Sequence, residues 1–388
     1  MENIFFDSTR TMITMSIGMS MANWEQSGII HRELSYYKEL SRHVGKLSFL
    51  SYGNDNKTEN QLLKNYIPDA QISWIEPSLF DKIPSGHFIS SFIPPFYPHS
   101  FRSIKCIRSN QISGGWAGAI IAKQLKVPFI LRGGYIWSEH FNLSVTKSLI
   151  IQKLIFYLES WTAQQADAII VTYNNAKSFF VRKHGIKPEK IIVIGNPIDT
   201  NLFSPIFSVS PHRDILFIGR FTDQKNIPAI LKACHKTKST ITLLGKGPLK
   251  TEMIKLAESL QLNAIFIEYL PNDQIPQLMA KHRIFILASH FEGNPKALLE
   301  AMSCEKPCIV SNIKEHRELI KNGTSGLLVS PTVEGISSGI HQVLKNENFA
   351  RSLGKHARRK VLDNHTLNKN ALKESILHQQ VIKNFSKK

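Results

Sequence analysis

Short apolar runs rich in Ile, Val, Leu and Phe alternate with segments of helical periodicity from residue 11 to residue 329, and no other feature constrains the fold as tightly. Parallel strands are joined by crossovers of a dozen or more residues, which helices supply. Strict alternation of the two periods is therefore the sequence form of a doubly wound α/β sheet. Strands are expected near 11–17, 46–52, 71–75, 86–92, 104–108, 127–131 and 167–172. The pattern then restarts, with strands near 214–219, 240–245, 264–268, 284–288, 307–311 and 326–329. Between the two series runs Gly195-Asn196-Pro197-Ile198-Asp199-Thr200-Asn201-Leu202-Phe203-Ser204-Pro205, whose Gly, Pro, Asn and Ser read as a linker. The 388 residues divide into a Rossmann-like domain over 1–197, another over 198–360, and a strandless helical segment over 361–388 expected to pack back toward the first. In doubly wound domains ligands sit where strand carboxyl ends and helix N-termini converge, so chemistry is sought there and in a cleft between the domains.

Composition narrows the classes. A hydrophobic fraction of 42% supports a core in each domain and excludes disorder as the main state, and 21 Gly with 18 Pro exclude a collagen-like or low-complexity chain. Net charge is +18, which points to polyanions: nucleic acid, an anionic membrane or phosphorylated substrates. Residues 1–200 carry 21 basic and 15 acidic side chains, and residues 201–388 carry 27 and 15. From Lys345 to Lys388 the local excess is +8, including Arg358-Arg359-Lys360; a solvated helix face is the plain reading of such a run. No recognition-helix, RNP or zinc-finger signature accompanies the charge, so nucleic acid is not an expected partner. Cys106, Cys234, Cys304 and Cys308 match neither a zinc site nor a redox pair, and no metal or other cofactor is implied. Met1-Glu2-Asn3-Ile4-Phe5-Phe6-Asp7 is acidic where a signal peptide is basic, so a cytoplasmic place is expected. The most apolar helix, around Leu149–Leu158, is broken by Gln152-Lys153 and falls short of the ~18 apolar residues that span a bilayer. Such a chain can touch an anionic membrane peripherally without crossing it.

Strand 214–219 ends in Gly219-Arg220-Phe221-Thr222-Asp223-Gln224-Lys225-Asn226, after which Ile227-Pro228 opens a helix. A glycine at a strand end, two cations and a helix N-terminus together suit a pyrophosphate; surface Arg and Lys near a turn are the alternative. The next strand ends in Gly245-Lys246-Gly247-Pro248-Leu249, whose glycines allow close backbone approach to a ligand or simply a tight strand-to-helix turn. The segment Ser289-His290-Phe291-Glu292-Gly293-Asn294-Pro295-Lys296-Ala297-Leu298-Leu299-Glu300-Ala301-Met302 sets one carboxylate in a loop and another two turns into a helix, some ~10 Å apart at 1.5 Å per residue. Carboxylates accept hydrogen bonds from sugar hydroxyls, so Glu292 and Glu300 suit a hexose and a ribose, with Arg220 and Lys225 on a diphosphate between them. The alternative is a capping carboxylate and an ordinary helix acid.

These motifs, in this order, resemble glycosyltransferase family 4, the retaining GT-B enzymes. The likeness is carried by Gly219-Arg220 with Lys225-Asn226, by Gly245-Lys246-Gly247-Pro248-Leu249, by Glu292-Gly293 with Glu300-Ala301-Met302, and by Glu318 before Asn322-Gly323-Thr324-Ser325-Gly326. The resemblance implies an α/β GT-B fold, two Rossmann-like domains facing a central cleft, with acceptor binding in the first and nucleotide-sugar binding in the second. It gives Arg220 and Lys225 to the donor pyrophosphate, Glu292 to the transferred sugar, Glu300 to the ribose and Tyr269-Leu270 to the base. Backbone groups at Asn294, Pro295, Lys296 and Ala297 complete the implied donor site. The implied reaction is hexose transfer from a UDP- or GDP-sugar to a glycan or lipid-linked acceptor in surface polysaccharide or lipopolysaccharide synthesis, without a metal. A nucleotide-sugar epimerase, an inverting transferase or a basic nucleic-acid-binding protein are the competing readings.

In the first half, Ser27-Gly28 stands in the place of the family's Gly-rich loop, with Asn23, Trp24 and Arg32 as neighbours; a capping turn with a buried Trp is the other reading. Asn110 follows one strand, and Arg132-Gly133-Gly134-Tyr135 follows another where most family members carry a histidine. His140 lies five residues beyond Tyr135 and reads as a cleft residue or as a surface one.

Overall fold

The structure is a computed structural model that describes residues 10–77, 79–80, 86–96, 101, 103–139 and 148–387. The chain forms two compact units, one of Met1–Gly195 with Asn368–Lys388 and one of Asn196–Leu367.

The first unit is built on a seven-stranded parallel sheet of β1 (Arg10–Thr14), β2 (Lys46–Leu50), β3 (Gln71–Trp74), β4 (Ile104–Ser109), β5 (Phe129–Gly133), β6 (Ala168–Val171) and β7 (Ile191–Val193), in the order β3-β2-β1-β4-β5-β6-β7. Helices cover both faces, which is why Ala168-Ile169-Ile170-Val171 is apolar throughout and entirely buried. The last helix, Leu367–Phe385, belongs to this unit: Leu377 and Val381 pack with Cys106, Ile130, Ile170 and Ile194. Its Glu374 meets Arg108 of β4, with Arg108 Nε donating to Oε1 at 2.8 Å and Nη2 to Oε2 at 3.2 Å. Burial pushes the Glu374 carboxyl up, but the Arg108 guanidinium and His378 together outweigh it and hold the group well below the usual carboxylate range.

The second unit has a six-stranded parallel sheet of β8 (Arg213–Ile218), β9 (Ile241–Leu244), β10 (Ala264–Ile267), β11 (His282–Leu287), β12 (Cys308–Ser311) and β13 (Leu327–Val329), ordered β10-β9-β8-β11-β12-β13. The chain enters and leaves this unit at one point: Ile198 bridges Thr366, and its N–H donates to the His365 carbonyl at 2.7 Å.

Three sequence expectations change. Residues 86–92 are not a strand; Gly86–Ser90 is a short helix. Phe88 and Phe92 stand four apart and both pack against Trp116, at ring centroid distances of 5.8 and 6.0 Å. Their spacing fits a helical face, and a short apolar run does not separate the two periods. The three-residue β7 was missed because Ile191–Val193 runs straight into the linker. The terminal helix begins at Leu367 rather than 361, since Glu347–Asn364 is a continuous helix of the second unit.

Candidate functional site

All six strands of the second sheet run parallel, so their carboxyl ends share one edge. Strand order reverses between β8 and β11, and the loops after these two strands hold the site candidates. Lys225 closes a single 3-10 turn after β8 and pairs through Nζ with Glu292 Oε1 from the loop after β11. Both side chains are largely buried. The Ser289 hydroxyl donates to the same carboxylate oxygen at 2.7 Å. Around the pair the loops are fixed to each other: Gln224 Nε2 donates to the Phe291 carbonyl at 2.8 Å and the His290 N–H to the Gln224 carbonyl at 2.8 Å. Asn226 adopts the left-handed conformation with φ 53° and sends its amide to the carbonyls of Ala288 and Pro331. Asparagine tolerates that conformation better than most residues, which explains it at this turn.

The Gly245-Lys246-Gly247 glycines serve another loop as well as any ligand. The Phe221 N–H donates to the Lys246 carbonyl at 2.8 Å and the Leu249 N–H to the Phe221 carbonyl at 3.2 Å. Gly245 and Gly247 have φ 150° and 156°, and a Cβ on either would run into the backbone of Gly219 or Phe221. The close approach is loop to loop, and it locks Gly219-Arg220-Phe221 beside the next strand end. Arg220 itself is exposed. Tyr269 is exposed beside Lys246, whose Nζ lies 5.9 Å from its ring centroid, and Leu270 is half-buried behind it.

Glu300 is buried in the helix Lys296–Ser303, and Pro295 precedes its first turn with Lys296 and Ala297 half-buried. Asn294 is committed elsewhere: its Oδ1 accepts from the Asn196 N–H at 2.9 Å and its carbonyl from Asn196 Nδ2 at 2.6 Å. Its side chain anchors the linker, leaving Gly293 as the small residue between it and Glu292. Sequence reading also passed over His316, fully buried on the helix Lys314–Leu319. Its Nδ1 lies 2.9 Å from the Ser311 carbonyl, and burial lowers its basicity, with the Glu292 charge acting in the opposite sense. Only its position after a strand end marked it in the sequence. Among the described residues no three His, Cys, Asp or Glu side chains gather as a metal site.

In the first unit, order reverses between β1 and β4. Asn110 follows β4; its side chain accepts from the Tyr37 hydroxyl at 2.6 Å, and its carbonyl accepts from Arg132 Nη1 at 3.3 Å. Gly134 N–H donates to Gln111 Oε1 at 2.7 Å, so Arg132, Gly133 and Gly134 join Asn110 at adjacent strand ends. Tyr135 is half-buried next to them, and burial raises its hydroxyl pKa. Ser27 and Gly28 do not occupy the strand end. Ser27 caps the helix Met21–Gln26, its Oγ donating to the Asn23 carbonyl at 2.6 Å, and Gly28 leads into the helix Ile30–Val44. The glycine in the loop directly after β1 is Gly18, φ 69°. Trp24 is buried and stacks on Tyr37, the capping alternative, while Arg32 pairs with its neighbour Glu33 at 3.5 Å. His140 lies outside the described residues.

Two family models match. One described as Glycosyl transferases group 1 covers residues 201–360, and one described as Glycosyltransferase Family 4 covers residues 84–202. The Escherichia coli protein named UDP-Gal:alpha-D-GlcNAc-diphosphoundecaprenol alpha-1,3-galactosyltransferase is 23% identical over 84% of this chain and 88% of its own length. The Campylobacter jejuni N,N'-diacetylbacillosaminyl-diphospho-undecaprenol alpha-1,3-N-acetylgalactosaminyltransferase is 27% identical over 69% of this chain and 74% of its own. Among solved structures, Anabaena Alr3699/HepE in complex with UDP matches with a TM-score of 0.75 and 16% identity, covering 96% of this chain and all of that one.

Proposed function

We propose, from the premise that this chain belongs to glycosyltransferase family 4 and is a glycosyltransferase of the GT-B fold, that it moves a hexose from a nucleotide-diphospho-sugar to a lipid-linked glycan acceptor with retention at the anomeric carbon. The observation that carries this reading is the meeting of Lys225 and Glu292 at the strand-order reversal of the second sheet. A cation and a carboxylate there match a donor whose diphosphate and sugar are joined at the reacting bond. The undecaprenol acceptors and alpha products in the names of the two bacterial relatives support a lipid-linked acceptor and retention.

In this mechanism Arg220 and Lys225 stabilise charge developing on the departing diphosphate, Glu292 accepts hydrogen bonds from the sugar hydroxyls, and buried Glu300 holds the ribose. Tyr269-Leu270 lies against the base. A front-face path lets the departing phosphate oxygen take the acceptor proton as the new glycosidic bond forms, so positioning and electrostatics supply the catalysis. No protein nucleophile takes part, and no metal or other cofactor is assigned a role. The reaction is placed at the cytoplasmic face of a membrane, where the basic chain meets anionic lipid peripherally.

Thermal shift against a panel of UDP- and GDP-sugars identifies the donor, since a ligand at 100 times its Kd stabilises by ~2.7 kcal/mol. Hydrolysis of that donor and NMR of the product's anomeric proton then follow. Wild-type rates for both Arg220→Ala and Glu292→Ala would overturn the site, and an inverted product would overturn retention.

A further inference from the structure

The helix Leu149–Gln165 of the first unit is apolar on two sides, and among the described residues only one of them is covered. Ile155, Thr162 and Ala163 face the fold. At about 100° per residue, Ile150, Leu154, Tyr157 and Trp161 fall within about 60° of arc on another face. They are 81%, 57%, 67% and 40% exposed. Exposed apolar side chains scattered singly are ordinary, but four in one stripe are a surface built for contact. A second exposed group stands close by. The helix Gly115–Leu125 packs against the striped helix and also against the turn Pro94–Phe96, where Phe96 is exposed to 80%.

Charge decides what covers this face. Across residues 86–96, 115–126 and 149–165 the single acid is Glu159, which is fully buried and turned inward to accept the Trp137 N–H at 2.8 Å. Lys123, Lys126 and Lys153 are exposed. A two-fold contact with a second copy sets like patch on like, so these exposed lysines would face one another across it. An anionic lipid surface supplies the opposite charge together with the apolar layer that the stripe needs, and Tyr and Trp favour the depth of the headgroups. Among the described residues no helix is long and apolar enough to cross a membrane.

We propose that this face, centred on Ile150, Leu154, Tyr157 and Trp161, docks the protein on an anionic bilayer with the helix lying in the interface. The proposal deepens the reading of a lipid-linked acceptor and rests on it for its purpose, while its observations are independent of the sugar chemistry.

The test uses the full chain with vesicles of phosphatidylethanolamine containing phosphatidylglycerol. The wild type co-sediments, and Ile150→Asn with Leu154→Asn weakens partitioning by at least ~10-fold, since each buried aliphatic side chain is worth ~1.5 kcal/mol or more. Phe207→Ser, exposed in the other unit, leaves binding unchanged. Lipids brominated in the upper acyl chain quench the wild type's fluorescence, and Trp161→Phe removes most of that quenching. Sedimentation of the double variant like the wild type overturns the proposal. So does a wild-type dimer in sedimentation velocity that the double variant splits while vesicle binding is absent, which would make the face a contact between copies. Donor hydrolysis without vesicles separates the two readings. Vesicle binding that tracks the stripe in a protein with no donor hydrolysis sinks the proposed function alone, whereas hydrolysis with stripe-independent binding sinks the docking face alone.

Discussion

Lys225 and Glu292 stand 67 residues apart in the chain and form an ion pair at the point where strand order in the second sheet reverses. Closeness in the sequence does not bring this about. The turn after β8 and the loop after β11 meet because those strands are adjacent, and Gln224 and Asn226 tie the loops together through backbone carbonyls.

The pair predicts coupling in catalysis. Lys225→Ala and Glu292→Ala are each expected to lower kcat/KM by about 10²-fold, on the order of 3 kcal/mol. The double variant is expected to lose less than the product of the two, because each single change already leaves the partner without its counter-charge. Strict multiplicativity in a double-mutant cycle would show that the two groups act separately.

Gly247→Ala is expected to destabilise the second unit by roughly 1–3 kcal/mol, because φ 156° disfavours any side chain and the Cβ meets the Phe221 backbone. Gly323→Ala is the contrast: φ is 70° and nothing lies within 4 Å of the Cβ, so about 1 kcal/mol of backbone strain is the whole cost. Urea unfolding compares them, and equal effects would deny the loop-to-loop clasp.

Glu374→Gln is expected to cost roughly 3–5 kcal/mol, since it strands the buried Arg108 guanidinium. Replacing both Arg108 and Glu374 by Leu is expected to cost less than the single change. The carboxyl's lowered pKa means that its contribution is present above the ordinary carboxylate range and disappears only as pH falls through the lower folded value. Acid unfolding of the wild type and of Glu374→Gln, followed by circular dichroism, tests the direction.

His282 predicts a milder pH dependence in the second unit. Burial lowers its pKa from 6.5 to about 4, its Nδ1 lying 2.7 Å from the Leu278 carbonyl and its Nε2 2.7 Å from the Thr242 hydroxyl. The folded unit keeps the ring neutral while the unfolded chain binds a proton below 6.5. The stabilisation is therefore complete above 6.5 and is lost as pH falls toward 4, by up to about 3 kcal/mol. Hydrogen exchange of β11 amides at pH 7 and pH 4.5 should show the loss in the wild type, and His282→Gln should flatten it.

Much of the fold was legible in the sequence. Twelve of the thirteen expected strand regions hold strands, because a strand buried on both faces must be apolar throughout and its crossover must be long enough for a helix. Gly86–Ser90 misled because a short apolar run with Phe88 and Phe92 four apart satisfies either period, and the packing of both on Trp116 of a distant segment goes with the helix. In the site, Arg220, Lys225, Glu292 and Glu300 stood out as charges at strand ends and in the following helix. Ser27-Gly28 did not mark the strand end, since a glycine before a helix looks the same whether a strand or another short helix precedes it.

By itself the sequence determined two parallel-sheet units, their junction near Asn196, and the charges that the second unit carries at its strand ends, because periodicity, turn residues and charge are local properties of the chain. Only the tertiary structure decided that Lys225 pairs with Glu292, that Asn294 holds Asn196, and that Gly245 and Gly247 clear the way for a neighbouring loop. It also decided that the apolar helix Leu149–Gln165 leaves one side uncovered. Those relationships depend on which strands lie side by side and which helix faces find a partner, and these are fixed by packing between residues far apart in the chain.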